Sequence, residues 1–516
     1  MVKIFGLLMI LEIGSSTYAS DNRSAPNVFS SGSTISSSQM NENFNFLASE
    51  IKEKDVYCDS GDTISDAINE GYNSLTIYGT CDGGVMTYKF DPAIYGVNFS
   101  QMLNKPVSHL IIKGGDANRA AVIKNTAASM ESGAMSKSFL ELSNLTFNDS
   151  LNANAGSVIL LNEVNYEVKN IVDVSNDDDP EYGKLTSYDN SFIDIKDSTI
   201  NAEVKASDGS VINIQDTTIN PTENSDRVVN IKRNSVLKTD RTTMNGRIKF
   251  STGAVWYDYK STVNCTTNYS CVGSSASKID VEDTRLNLIS NSSNAFYAQS
   301  SYLNFYTPVV DCTSEYSCFS LEDSSLNIDL SDNYEGPFEV TSNNGSSFFF
   351  QTTTVNIRKG TISCNSNYSC FYLEKSELFT DSLTLSLTSD NSAIIGFNIS
   401  FIKLNNSNLT CPMSNSQWPP GCIQIQYNSV LQISETSLQT TNSFVLEAQW
   451  NSNIQLNNST LNRSDLDSQI HLNANSNLQI QSGTQDLNLN CGSNSNVQNQ
   501  TTVNLTGIGS GGCIEF

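Results

Sequence analysis

The feature that most limits what this chain can fold into is a short pattern that recurs from about residue 139 onward. A small polar pair, often Asn-Ser or Gly-Ser, precedes an apolar-x-apolar-x run. Asp or Asn with Ser or Thr follows, and one apolar residue and Asn close the unit. Residues 190–201 (NSFIDIKDSTIN) and 209–220 (GSVINIQDTTIN) carry it in full, and 277–287, 429–439 and 452–462 vary it. The closing apolar anchor returns at Ile200, Ile219, Met244, Val263, Leu286, Leu303, Leu326, Val355, Leu378, Leu409, Leu438 and Leu461. The intervals run from about 17 to about 31 residues and cluster near 19–25, in the range of solenoid repeats.

A unit this short cannot hold a helix pair, and its apolar-x-apolar core has the period of a strand. One unit cannot bury its own apolar face, so units must stack. The fold class expected is all-β: a right-handed parallel β-helix solenoid, right-handed by the general crossover preference. At ~22 residues per coil it would have some 15–19 coils and a length of roughly 70–90 Å. A thin columnar core also accounts for a hydrophobic share of only 38%. The stacking predicts Ile193, Ile212 and Val229 inside. It predicts Asp194, Asn213 and Asn230 aligned outside, beside Lys196, Gln215 and Lys232. Asn, Ser and Thr at the turns suit left-handed backbone and side-chain ladders.

The first residues set the compartment. Met-Val-Lys, an apolar stretch from Ile4 to Ile10 and a small-residue end resemble a secretory signal cut after Ala19. The domain expectation is a signal peptide at 1–19, a flexible leader with a short helix at 20–55, and a β-helix over 56–516. That leader helix has Met40, Phe44, Leu47 and Ile51 on one face. A helix is also expected near Thr63–Glu70. Twelve cysteines fall into neighbouring pairs. Pairing by proximity joins Cys58 with Cys81, Cys265 with Cys271, Cys312 with Cys318, Cys364 with Cys370, Cys411 with Cys422 and Cys491 with Cys513. Six disulfides fit a secreted, periplasmic or extracellular protein. Zinc is the competing use of cysteine, but Cys-x5-Cys is not zinc spacing and only His109 and His471 are present. Three near-copies, CTTNYSC, CTSEYSC and CNSNYSC, come about two coils apart and read as disulfide-pinned turns on alternate coils, their tyrosines used in turn packing.

The segment 58–81, CDSGDTISDAINEGYNSLTIYGTC, resembles the opening of right-handed parallel β-helix proteins of the pectate-lyase-like superfamily, exported bacterial members among them. Residues 142–149, LSNLTFND, resemble another of their coils. The resemblance spans about 56–510. It implies an N-terminal cap helix at 58–81 and the fold, but not the reaction, because such coils carry lyases, hydrolases, adhesins and spikes.

Function is less constrained. A formal charge of −25, from 54 acidic and 29 basic residues, speaks against nucleic acid. No stretch after the leader is long enough for a membrane span. Polygalacturonase-type hydrolases of this fold use clustered Asp, Gly-His-Gly and Arg-Ile-Lys. Here Arg247–Lys249 and an acidic run at Asp177–Asp179 are present but Gly-His-Gly is not, and the histidines stand in other contexts. Two features suit a lyase acting on an acidic polysaccharide. One is a basic segment holding Arg227, Lys232, Arg233, Lys238, Arg241, Arg247 and Lys249. Stacked, these could form a positive stripe, with Lys232, Arg233, Arg247 and Lys249 as catalytic candidates; the bland alternative is a solvated basic face. The other is Asp177, Asp178, Asp179 and Glu181, oxygen donors suited to calcium, or simply a loose acidic loop. Trp256, Trp418, Trp450 and the twenty Tyr could stack on sugars. The leading expectation is a noncatalytic extracellular rod, adhesin-like, presenting polar ladders to a polysaccharide or cell-surface glycan. A calcium-assisted lyase is the alternative, and the oligomeric state stays open.

Overall fold

The structure is a computed structural model that describes residues 51–83, 85–88, 107–116, 120–124, 132–135, 137–167, 184–222, 225–331, 338–412, 421–440, 444–463, 469–482, 486–492, 494–507 and 513–515. The signal and leader expectations, Trp418, and the acidic run Asp177, Asp178, Asp179 and Glu181 lie outside the described residues.

The chain is a parallel β-solenoid with three strands in most coils. A representative coil is β1 (Phe192–Lys196), β2 (Thr199–Asn201) and β3 (Glu203–Ala206). The next is β4 (Val211–Gln215), β5 (Thr218–Asn220) and β6 (Arg227–Lys232). β1 pairs with β4, β2 with β5 and β3 with β6, all parallel. The three faces continue this way along the rod, called here the first, second and third. On the first face the pairing begins at Glu53–Tyr57 and ends at Ile514–Glu515. At ~4.8 Å per strand step the stack is roughly 90 Å long.

Alternation decides what points inward. Ile193, Ile212, Leu237, Trp256 and Ile279 are in register on the first face and buried. Both ladders and corners follow the repeat closely. At the corner between the first and second faces, Asp197, Asp216, Arg241, Lys260 and Asp283 have φ between 47° and 55°. The Ser or Thr that follows each is buried. The Ser198 hydroxyl donates to the Lys196 carbonyl (2.6 Å) and accepts from the Val164 N–H one coil earlier (3.0 Å). The hydroxyl therefore satisfies backbone groups that a turning strand leaves open. Past the corner, Asn201, Asn220, Asn245, Asn264 and Asn287 form a ladder in which each amide donates to the preceding Asn at 2.7–2.9 Å.

The lower end is closed by α1 (Ile64–Asn69), which tucks Ile64, Ala67 and Ile68 into the core. Its first turn is capped by Thr63, which accepts from the Asp66 N–H at 3.0 Å. The Cys58–Cys81 bridge ties this cap to the first coils. The other five disulfides also join the cysteines that proximity pairs. Cys265 is bonded to Cys271, Cys312 to Cys318 and Cys364 to Cys370, each closing a turn of one coil. Cys411 is bonded to Cys422 across the segment between its strand and the next face. Cys491 is bonded to Cys513, which fastens the last residues to the upper coils. Among the described residues no cysteine is free.

Two alignments differ from the sequence expectation. Val229 does point inward, but on the third face, where Asn230 pairs with Lys205 and Lys249 and is fully buried. The first-face partner of Asn213 is Lys238 instead, because Val236–Asp240 has the same alternation and follows the insertion at 221–226. The anchor series also changes face. Ile200 through Leu286 belong to the second face, whereas Leu303, Leu326, Val355 and Leu378 sit on the first, with Leu303 opposite Ile279. Apolar-then-Asn occurs on both faces, and a second ladder, Asn304–Asn327–Asn356, runs on the first.

Asn245 donates to Asn220 and accepts from Asn264, whereas Asn287 ends its ladder with one such bond. Asn245→Ala is expected to lose about 1–3 kcal/mol and Asn287→Ala about half that, at ~0.5–1.5 kcal/mol per bond. Equal shifts in the denaturation midpoints would show that the ladder bonds contribute nothing. A second prediction concerns Asp258, which points into the core and accepts from Thr239 and Thr284. Burial raises its carboxyl above the ordinary value against the pull of the Ser261, Thr239 and Thr284 hydroxyls. A raised folded-state value stabilises fully below the ordinary carboxylate pKa, and that contribution is lost as pH rises through the folded value. Asp258→Asn should therefore flatten the fall in melting temperature between acidic and neutral pH, measured by calorimetry; an unchanged profile would refute it.

Candidate functional site

The basic segment does not form one stripe. Its 227–249 span is about one full coil, so the backbone carries its side chains around the rod. Arg227, Lys232, Arg247 and Lys249 are on the third face and Lys238 is on the first. Arg233 and Arg241 occupy left-handed corners (φ 51° and 48°). Carboxylates meet most of the guanidinium groups. Arg233 lies 3.3 Å from Asp208; Arg241 lies 2.7 Å from Asp216 and 2.9 Å from Asp240. Arg247 lies 3.1 Å from Asp226 and over the Tyr269 ring, and Arg227 lies 3.6 Å from Glu203. The Arg241 pair holds the Asp216 carboxyl below its ordinary value. Lys184, Glu203 and Lys205, neighbours on the third face, are buried. Among the described residues, no three of His, Cys, Asp and Glu converge as a metal site.

A different site lies farther up the third face. Outward positions there are in register: Tyr297, Ser320, Phe349, Tyr372 and Ile395 in one column. Gln299, Glu322, Gln351, Glu374 and Phe397 form the next. The turns that lead into this face stand beside the columns. Together they enclose a groove of about 680 Å³ whose lining includes Tyr316, Glu322, Phe349, Tyr368, Tyr372 and Glu374. Phe349 and Tyr372 stack with ring centroids 5.5 Å apart and planes within 3°.

The walls depend on the cystine turns. Cys312–Cys318 encloses Tyr316 and Cys364–Cys370 encloses Tyr368. Cys265–Cys271 encloses Tyr269 in the same way, lower on the rod. Alternate coils place Ala295, Ser347 and Ala393 where these have the second cysteine, as the carbonyls of Ala295, Cys318, Ser347, Cys370 and Ala393 accept in succession from the strand below. Beneath each turn, buried Ser290, Ser314, Ser342 and Ser366 bond turn carbonyls. The turn tyrosines therefore project: Tyr269, Tyr316 and Tyr368 are 62%, 52% and 45% exposed. This corrects their reading as turn packing, since a turn pinned from inside by a disulfide has no core position left for its tyrosine.

The groove is polar at its edge. Glu322 accepts from the Tyr297 hydroxyl (3.3 Å) and Glu374 from Asn398 (3.4 Å). Burial first, then the Glu374 and Tyr368 neighbours, raise the Tyr372 phenol, and burial with Glu322 raises Tyr297, so both hydroxyls stay neutral donors. Among the described residues, no Lys or Arg lines the groove. Such a surface offers apolar aromatic edges, carboxylate acceptors and phenol donors, and it disfavours anions. Of the sequence's tryptophan candidates, Trp256 is core and Trp450 is exposed. The sequence signal for the groove was present in SFFFQ at 347–351 and CFYLE at 370–374, where aromatic residues occupy the outward phase of the alternation.

No family model, no curated protein and no solved structure matches this chain.

Replacing Cys364 and Cys370 together by Ser should speed amide exchange across Asn365–Ser369. Phe371–Glu374, paired on both sides, should keep its protection. Stability should fall by about 2 kcal/mol, the loop-closure contribution of so short a bridge. Equal loss of protection in the strand would mean that the bridge holds the sheet, not the groove wall.

Proposed function

We propose that this protein is an exported, noncatalytic β-helix rod that binds an uncharged extracellular polysaccharide or cell-surface glycan through the third-face groove. The observation that carries the reading is the stacked Phe349–Tyr372 floor between Tyr316, Tyr368 and the carboxylates Glu322 and Glu374. Apolar faces of sugar rings pack against the exposed aromatic edges, and their hydroxyls bond to acceptors and donors at the rim. Export draws support from the signal-like first residues and from six disulfides. The three-faced parallel stack, together with the opening segment 58–81, is in keeping with membership of the pectate-lyase-like superfamily. No helix of the described residues is long and apolar enough to cross a membrane.

A calcium-assisted lyase has less support. It needs cations converging on a uronate carboxylate, and the basic segment is distributed around a coil, most of its guanidinium groups beside single carboxylates. Titration calorimetry against neutral β-linked oligosaccharides should show binding to the intact protein. Phe349→Ala and Tyr372→Ala should each weaken it about tenfold, which is about 1.4 kcal/mol. Tyr302→Ala, an exposed ring on the first face, should not. Equal binding by all four proteins would refute the groove, and accumulation of unsaturated uronate ends on acidic polysaccharides would establish the lyase.

A further inference from the structure

Aromatic rings do not stop at the end of the groove. Tyr372 lies 6.3 Å from Phe397 on the next coil, Phe397 4.9 Å from Tyr427, and Tyr427 4.5 Å from Trp450. Each ring belongs to the coil after the previous one, so the track follows the rod axis. Phe349 and Tyr372, stacked face to face, make one platform of apolar ring edges. Tyr427 and Trp450, with planes within 10°, make a second. Phe397 joins them, edge-on to Tyr427.

The second platform is built at a conformational cost. The corner before the first face uses two successive left-handed residues in several coils. The second of the two is Gly156, Asn190, Gly209, Asn234, Gly253, Asn428, Asn451 or Asn475, residues suited to positive φ. The exception is Ile399, at φ 67°, a β-branched side chain in a region such residues rarely enter. It is also 70% exposed, so no core contact offsets the strain. Tyr427 and Trp450 hold the first position of the pair, at φ 53° and 49°, where other coils have Asp208, Arg233 or Ala474. Tyr427 and Trp450 thus project from the corner conformation that other coils share, and Ile399 alone is held outward by strained backbone, a departure retained beside the same line of rings. Asn428 and Asn451, both exposed, follow these two rings in sequence and carry amide donors and acceptors.

We infer that the binding surface is an axial track for a linear, uncharged polysaccharide, which lies along the solenoid and contacts both platforms at once. The inference rests on the groove's reading as a glycan site. Their centres are about three strand steps apart, roughly 14 Å, so a disaccharide reaches only one platform and a longer chain reaches both. Contact with the second platform by a chain already held on the first is intramolecular, and affinity rises with length without any new kind of contact.

The experiment is calorimetry of the intact protein with cello- and xylo-oligosaccharides from disaccharide to hexasaccharide. Wild-type affinity is expected to rise at least tenfold between disaccharide and hexasaccharide. Trp450→Ala should abolish most of that rise and leave disaccharide binding within twofold; Ile399→Asn, which relieves the strained corner, should cut hexasaccharide affinity without lowering the melting temperature. A length dependence unchanged in Trp450→Ala would overturn the track and leave the groove standing. Undiminished binding at every length in Phe349→Ala would overturn the groove itself.

Discussion

Every feature of this molecule descends from the in-register parallel hydrogen bonding of one coil to the next. Each strand residue is tied to its counterpart above and below, so a column of equivalent residues is stacked at a single spacing along the rod. A polar residue that recurs once per coil must bond its own copy, and an apolar one must bury against its own copy. The Asn201–Asn287 ladder and the Ile193–Ile279 column are these two outcomes. Variation in coil length cannot enter the strands and is displaced to the corners. There the chain either inserts residues, as at 221–226, or turns on left-handed residues backed by a buried hydroxyl.

The same constraint builds the groove. Outward residues of the third face inherit the strand spacing, which is why Phe349 and Tyr372 are parallel without any contact designed between them beyond adjacency. Walls need something the strands cannot provide, namely turns that stand clear of the sheet and hold their shape. A short cystine loop does this, because its covalent link points into the core and its tyrosine has only the outside available. The bridges on alternate coils thus act as framework for the surface as much as for the fold.

The period-two alternation and the single apolar anchor sufficed to read the solenoid and its strands from the sequence, and the resemblance of 58–81 implied the cap, whose helix at Ile64–Asn69 falls within the Thr63–Glu70 expected. Proximity sufficed for the cysteine partners, because a solenoid keeps sequence neighbours within one coil: Cys271, Cys422 and Cys513 each have a single partner within that reach. Assigning a repeat to a face was not possible in this way. Val229-Asn230-Ile231 and Val236-Leu237-Lys238 have the same pattern, and only the pairing of coils shows that the first belongs to the third face. The site failed to appear for a related reason. Attention to charge picked the segment from Arg227 to Lys249, which is clustered in sequence, but a solenoid scatters about one coil of sequence around its whole circumference. Residues that meet in space are one coil apart, so Tyr316, Phe349, Tyr368 and Tyr372 converge from 57 positions of sequence that no local window joins.

The ladders themselves are poor candidates for the ligand surface, although a rod rich in Asn, Ser and Thr invites that idea. In the Asn201–Asn287 stack each interior amide already commits one N–H and one carbonyl lone pair to its neighbours, and the corner hydroxyls are buried against backbone. A sugar hydroxyl arriving there would compete with bonds that hold the coils together. Aromatic columns carry no such conflict. Stacked rings satisfy one another weakly through their faces, keep an apolar surface toward solvent, and lose little conformational freedom when a ligand settles on them. Partition follows from this: the second face, with its amide ladder, is committed to cohesion. On the third face the outward column turns aromatic at Phe349 and Tyr372, and the line of rings continues through Phe397 to the corner residues Tyr427 and Trp450. The proposed binding surface therefore lies where the repeat departs most from its own polar consensus.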